Sequence, residues 1–291
     1  MNLETLPPLR EVLADHGLLA KKAFGQHFLL DLNITRKIAR LAAFAPGERV
    51  IEVGPGPGGL TRALLEAGAR VTAIEKDERF QSLLVELAAA APGALTLILG
   101  DALEAHEAEI AQGEPAHIVA NLPYNVGTPL LIKWLTGPWT PASMTLMFQK
   151  EVAERITAPA NGEAYGRLAV IAQATSEAKM VMEVPARAFT PPPKVDSAVV
   201  RLTPRPDRPS AARLDALQKI TAAAFGQRRK MLRASLKGVG GEPLIEAAGL
   251  DPQARAETID VAGFLRLADA WIARRGQRPA AGLVDEAASE C

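Results

Sequence analysis

The tetrapeptide Asn121-Leu122-Pro123-Tyr124 gathers groups suited to one chemistry, the activation of a planar aromatic amine. An exocyclic amine such as adenine N6 is a poor nucleophile because its lone pair is delocalised into the ring. Accepting both of its N–H hydrogens favours a more pyramidal, nucleophilic nitrogen. The side-chain oxygen of Asn121 and a following backbone carbonyl suit that task, and Tyr124 offers a stacking face for a base taken out of its helix. A sulfonium methyl donor is already a strong electrophile, so no strong general base is required. Taken alone, the same residues could form a turn with Tyr124 packed in a core.

A second constellation lies upstream. Glu52-Val53-Gly54-Pro55-Gly56-Pro57-Gly58-Gly59 satisfies G-x-G-x-x-G at Gly54, Gly56 and Gly59. Glycines at such positions let the chain turn sharply and let a ligand approach main-chain atoms that a Cβ would shield. Glu75 ends the next apolar segment, where a carboxylate can accept from both ribose hydroxyls. Asp101 follows Leu99-Gly100 and can accept from an adenine amino group. A ligand-free Gly-Pro loop and a helix-capping Glu75 are the competing readings. Three signals at successive strand ends point to a nucleoside-type ligand in one crevice. They leave NAD and S-adenosylmethionine both open, and the tetrapeptide favours the methyl donor.

The elements that must position these residues are legible in the hydrophobic periodicity. It predicts strands over Arg49–Val53, Arg70–Ile74, Leu95–Leu99, Ala116–Ala120, Ser143–Gln149, Met180–Val184 and Ser197–Leu202. Helices are expected over 9–20, 34–44, 60–67, 79–90, 129–135 and 151–156, with a loop from Lys21 to Asn33. Alternation of this kind implies a parallel sheet with helices on both faces. Thr203-Pro204-Arg205-Pro206-Asp207-Arg208-Pro209 reads as a stiff connector. Beyond it, 214–225, 228–236, 243–248 and 261–273 read as helices of a small domain. The expected plan is an α/β domain at 1–204, a helical RNA-binding domain at 205–275 and a disordered tail at 276–291.

The 291 residues carry 33 basic and 33 acidic side chains, which argues against binding nucleic acid by net charge alone. The single cysteine, Cys291, excludes an internal disulfide and a cysteine metal site. Neither a secretory signal nor a run of about 20 apolar residues is visible, so a cytoplasmic protein is expected. No metal is called for, and a monomer is the expected state.

At these residues the chain resembles the ribosomal RNA adenine N6-dimethyltransferases, in particular the bacterial small-subunit (16S) enzymes. Beyond the motifs above, the likeness runs through Phe24-Gly25-Gln26-His27-Phe28-Leu29, Phe148-Gln149-Lys150-Glu151-Val152 and Ala164-Tyr165-Gly166-Arg167-Leu168. It continues in Phe189-Thr190-Pro191-Pro192-Pro193-Lys194-Val195-Asp196-Ser197, Phe225-Gly226-Gln227-Arg228-Arg229-Lys230-Met231-Leu232 and Arg255-Ala256-Glu257, spanning roughly Phe24 to Ile272. The resemblance implies a Rossmann-like S-adenosylmethionine-dependent methyltransferase domain followed by a small all-helical domain. It places His27, Leu29, Gly54, Gly56, Glu75, Lys76, Asp101, Ala102 and Asn121 around S-adenosyl-L-methionine. Asn121, Leu122, Pro123, Tyr124 and Phe189 fall at the target base. The family often has Asn at the position of His27, and either side chain can hydrogen-bond. A proline often stands at the position of Leu122 in amino-methyltransferases, and leucine keeps the carbonyl that matters. The prolines after Phe189 are expected to hold an extended loop.

A cationic run, Arg228, Arg229, Lys230, Arg233 and Lys237, is read as the RNA-facing surface. On one helix, Arg229, Arg233 and Lys237 would share a face and contact phosphates, with Lys21, Lys22, Arg36 and Lys37 extending it. The implied substrate is two adjacent adenines in the 3′-terminal hairpin loop of 16S rRNA, within an immature small ribosomal subunit. A large-subunit rRNA adenine methylase, a mainly non-catalytic small-subunit assembly factor and an NAD dehydrogenase are the rivals.

Overall fold

The computed structural model describes residues 6–18 and 27–276. The chain divides into two compact units between Arg208 and Pro209. The first begins with α1 (Leu9–Asp15), β1 (Phe28–Leu29), α2 (Leu32–Ala42), β2 (Arg49–Val53) and α3 (Gly59–Glu66). Next come β3 (Arg70–Glu75), α4 (Gln81–Ala90), β4 (Leu95–Leu99), α5 (Glu107–Ala111), β5 (Ala116–Asn121) and α6 (Gly127–Thr136). It closes with β6 (Ser143–Gln149), α7 (Lys150–Thr157), α8 (Arg167–Thr175), β7 (Ser176–Val184), β8 (Phe189–Thr190) and β9 (Ser197–Pro204).

Seven strands form one sheet in the order β4-β3-β2-β5-β6-β9-β7. Pairing is parallel from β4 to β6, but β9 joins β6 and β7 joins β9 antiparallel. The all-parallel sheet expected from alternation therefore fails at one edge. There β7 and β9 are joined through Pro185–Asp196 with no long helix between them, and such a short return reverses strand direction.

Strand residues alternate between two cores, as a period of two requires. Ile118 and Ala120 of β5, with Leu146 and Phe148 of β6, pack against α6, α7 and α8. Val119 and Met147, from the same strands, pack with α2 and α3 on the other face. Helix α2 starts where the Asp31 carboxylate accepts the Asn33 N–H at 2.8 Å. Tyr165, within one of the resemblance motifs, is fully buried.

Two expectations near the N-terminus change. The first helix ends at Asp15, and the segment expected as loop contains β1, paired antiparallel with β8. Residues 19–26, including Lys21, Lys22 and Phe24-Gly25-Gln26, lie outside the described residues, as does the expected tail beyond Gly276.

The second unit contains α9 (Ala211–Gly226), α10 (Leu232–Ser235), α11 (Gly241–Ala247) and α12 (Val261–Gly276), with short 3₁₀ turns between. Its core includes Leu217, Ile220, Leu232, Leu244, Phe264 and Leu267. The single helix expected over Arg228–Leu236 is not formed. Arg228–Lys230 lie in a turn after α9, and Met231 makes an isolated antiparallel bridge to Arg255. Lys237 lies in a 3₁₀ turn. Burial of Leu232 and Leu236 against the unit's core outweighs the local helical pattern. No described helix is long and apolar enough to cross a membrane.

Candidate active site

The carboxyl ends of β2, β3 and β5 meet at a cavity of about 570 Å³. Backbone bonds align two of the turns: Gly54 N–H donates to the Ile74 carbonyl and Gly100 N–H to the Glu75 carbonyl, both at 2.9 Å. The glycine turn needs its residue type at Gly54 and Gly56, with φ of +68° and +52°. Gly59 is required for space, since a Cβ there would sit 2.8 Å from the Leu29 carbonyl oxygen.

Glu75 is buried and lines the cavity. Its Oε2 accepts from Gly56 N–H at 3.0 Å and its Oε1 from Asp77 N–H at 2.8 Å. Burial pushes its carboxyl above the ordinary range, opposed by those N–H donors. Each oxygen keeps a further lone pair for a ligand hydroxyl.

Sequence reasoning missed Glu52, which is 1 % exposed, lines the same cavity and leaves Oε2 without a hydrogen-bond partner. Burial drives its carboxyl up to about 8, helped by the nearby charge of Glu75 and opposed by the Thr61 hydroxyl. The signal was present as a carboxylate inside an otherwise apolar strand, Arg49-Val50-Ile51-Glu52-Val53, immediately before the glycine turn.

Asn121, Leu122, Pro123 and Tyr124 all line the cavity, where β5 hands over to α6. Among the described residues no hydrogen bond engages the Asn121 side chain or the Leu122 carbonyl. The Pro123 carbonyl, by contrast, takes the N–H groups of Val126 and Gly127 at 3.1 Å each. The backbone acceptor left for a ligand is therefore that of Leu122. Tyr124 is held by its hydroxyl, 2.9 Å from Ser197 Oγ, and its ring stacks with His27 at 6.2 Å between centroids.

His27, Leu29 and Phe189 complete the cavity wall. They come from segments about 160 residues apart in sequence, joined by β1–β8 pairing that sets Leu29 opposite Phe189. His27 Nδ1 lies 2.8 Å from the Pro191 carbonyl. The Thr190–Pro191 peptide is cis and the chain bends at Pro191, unlike the extended loop expected there.

Asp101 and Ala102 stand apart from the cavity lining. Asp101 borders it through Lys76, which does line it: Lys76 Nζ donates to Asp101 Oδ2 at 2.8 Å, and Leu103 N–H donates to Oδ1 at 2.9 Å. The Lys76 hydrogen bond, followed by that N–H, holds the Asp101 carboxyl below its ordinary value. No cluster of acidic, His or Cys residues that could hold a metal occurs among the described residues.

In the helical unit the expected cationic stripe is divided. Arg229, Arg233 and Lys237 are exposed but do not share a helix face. Arg228 pairs with Glu257 at 3.6 Å and Arg233 with Glu242 at 4.0 Å. Arg229 and Lys230 are exposed and carry no ion pair to a described residue. Of the expected extension, Arg36 is taken up by a two-pronged pair with Glu66, while Lys37 is exposed.

The ribosomal RNA adenine dimethylase family model matches residues 17–273. A protein of Phenylobacterium zucineum named ribosomal RNA small subunit methyltransferase A is 78% identical, covering 94% of this chain and 96% of that protein. Its namesake from Caulobacter vibrioides is 66% identical over 87% of this chain and 98% of its own length. Among solved structures, a dimethyladenosine transferase from Plasmodium falciparum aligns with a TM-score of 0.69 at 26% identity, covering 83% of this chain and 96% of that one. The 23S rRNA methyltransferase ErmE aligns with a TM-score of 0.65 at 28% identity, covering 84% and 99%.

Proposed function

The chain belongs to the ribosomal RNA adenine dimethylase family, and from that premise we propose how its cavity performs adenine N6 dimethylation on small-subunit ribosomal RNA. The enzyme transfers methyl groups from S-adenosylmethionine to N6 of two adjacent adenines in the 3′-terminal hairpin loop of 16S rRNA. The carrying observation is the pair of unengaged acceptors, the Asn121 side chain and the Leu122 carbonyl, on the cavity that Glu75 also lines. The 78% identity to a small-subunit methyltransferase supports this branch over the large-subunit one, represented by ErmE at 28%.

The cavity residues fit the donor. Glu75 offers lone pairs to ribose hydroxyls, and the unpaired oxygen of Glu52 is left for a polar group of the ligand. Lys76 and Asp101 border the adenine end, and the glycine turn brings main-chain atoms close. Bound S-adenosylmethionine supplies an electrophilic methyl group on a sulfonium sulfur. Asn121 and the Leu122 carbonyl accept the two N6 hydrogens and orient the nitrogen lone pair toward that methyl. Tyr124, fixed by Ser197, and Phe189 hold the base between aromatic faces and exclude water. Methyl transfer to N6 would break the donor's C–S bond, leave a neutral thioether and release one N6 proton, so that one hydrogen remains for the second transfer. Arg229 and Lys230 provide phosphate contacts. The substrate is rRNA within an immature small subunit, and the enzyme acts as a cytoplasmic monomer.

Purified protein incubated with small and large subunits and methyl-labelled donor tests this, with primer extension on both rRNAs. Label in two adjacent adenines of 16S rRNA, lost in Asn121→Ala, is the expected result. Modification of the large subunit alone, or full transfer by Asn121→Ala, would refute it.

A further inference from the structure

Helix α6 begins at Gly127, three residues after Tyr124, and Lys133 lies on it. Lys133 Nζ donates to three acceptors: the Ala102 carbonyl at 2.8 Å, the Ala105 carbonyl at 2.6 Å and Glu107 Oε1 at 2.8 Å. An ammonium has three hydrogens, so this group is fully used inside the protein. Glu107, only 6 % exposed, also accepts the Trp134 indole N–H at 2.7 Å. Lys133 thus grips the segment that precedes α5, while Trp134 holds the first residue of α5.

That segment, Gly100–His106, has no helix or strand of its own. It leaves β4, which pairs with β3 alone and forms one edge of the sheet. The segment carries Asp101, whose carboxylate is oriented within it by Leu103 N–H and Lys76. With no neighbouring strand beyond β4, the segment's position depends on what grips it from the side. Lys133 is the only side chain among the described residues seen to donate to its backbone carbonyls.

We propose that Lys133 is a positioning residue for the methyl donor: it holds the Asp101 segment in place and couples it, through one helix, to the Asn121–Tyr124 turn. The two ends of the site, where the donor's adenine and the target amine are recognised, are then set by a single rigid element. This rests on the assignment of Asp101 to the donor's adenine amino group.

Isothermal titration with S-adenosylhomocysteine, and with S-inosylhomocysteine, which lacks the 6-amino group, tests the proposal. Lys133→Met alone would strand the buried Glu107 charge and risk misfolding. The test protein therefore carries Lys133→Met with Glu107→Gln, which keeps an acceptor for Trp134, and its cooperative thermal unfolding is checked first. Expected is a Kd for S-adenosylhomocysteine raised roughly tenfold or more, the scale of losing hydrogen bonds to a charged group. The Kd for the inosyl compound should not change, and kcat at saturating donor should stay within roughly threefold. Glu107→Gln alone, with both carbonyl contacts intact, should bind like the parent. Asp101→Asn should lose affinity for the amino compound alone. A folded double variant with parental affinity, or with equal losses for both compounds, overturns the role of Lys133. Parental affinity in Asp101→Asn overturns the assignment of Asp101 beneath it, a separable outcome.

Discussion

Replacing Glu52 with Gln should change how the ligand-free enzyme responds to pH. Glu52 is 1 % exposed, and its carboxyl is pushed from 4.5 to about 8 chiefly by burial. Between those values the folded protein holds a proton that the unfolded chain has released, so raising the pH favours unfolding. The slope is about 1.4 kcal/mol per pH unit, and a rise from 4.5 to about 8 accumulates on the order of 5 kcal/mol. That contribution is absent below pH 4.5, grows through neutrality and is complete above about 8. Glutamine cannot ionise. Glu52→Gln should therefore match the parent near pH 5 and exceed it in stability by several kcal/mol near pH 8.5. Glu75 is shifted in the same direction and remains in both proteins, so the difference reports Glu52 together with its coupling to Glu75. Urea unfolding at half-unit steps of pH, with equal m values required, is the assay. If the two proteins lose stability in parallel from pH 5 to 8.5, Glu52 is not held protonated in the free cavity and the reasoning is wrong.

Gly59→Ala should reduce donor affinity and stability together, because its Cβ would press on the Leu29 carbonyl 2.8 Å away and part the glycine turn from β1. Calorimetric Kd and melting temperature measure both, and an unchanged Kd would count against that contact. Tyr124→Phe removes only the bond to Ser197, worth about 1 kcal/mol, and should leave methylation within roughly tenfold. Tyr124→Ala removes the stacking face as well and should weaken RNA binding by a further 1–3 kcal/mol or so, read from KM for rRNA. Replacing Arg229 and Lys230 by Ala should flatten the slope of log affinity for RNA against log salt by about 2, while Arg228→Ala, already paired with Glu257, should change it less.

The chemistry of the site was largely local in sequence. Asn121-Leu122-Pro123-Tyr124, the glycine turn and Glu75 each follow a strand whose apolar run is plain, and consecutive residues carry the needed groups. The strands β2, β3, β5 and β6 were legible because both sheet faces are buried there, which enforces long apolar stretches, and the edge strand β4 keeps an apolar run although it is partly exposed. Elements fixed by distant partners were not legible. Strand β1 is two residues long and exists through its pairing with β8. Helix α8 is apolar all round because it is almost wholly buried, so no amphipathic stripe marks it. The helix expected over Arg228–Leu236 was lost because Leu232 and Leu236 serve the unit's core from a turn and a short helix. Sequence could place Glu52 before the glycines, but only the packed sheet shows that its Oε2 is buried without a hydrogen-bond partner, since desolvation depends on every neighbour at once. It could place Asp101 at a strand end, but the grip of Lys133 on that segment arises only when the fold brings α6 against the chain that leaves β4. Residue types and spacing determined which reaction this chain can perform; the tertiary fold decided which acceptors stay free, which carboxylate stays protonated and which helix holds both ends of the site.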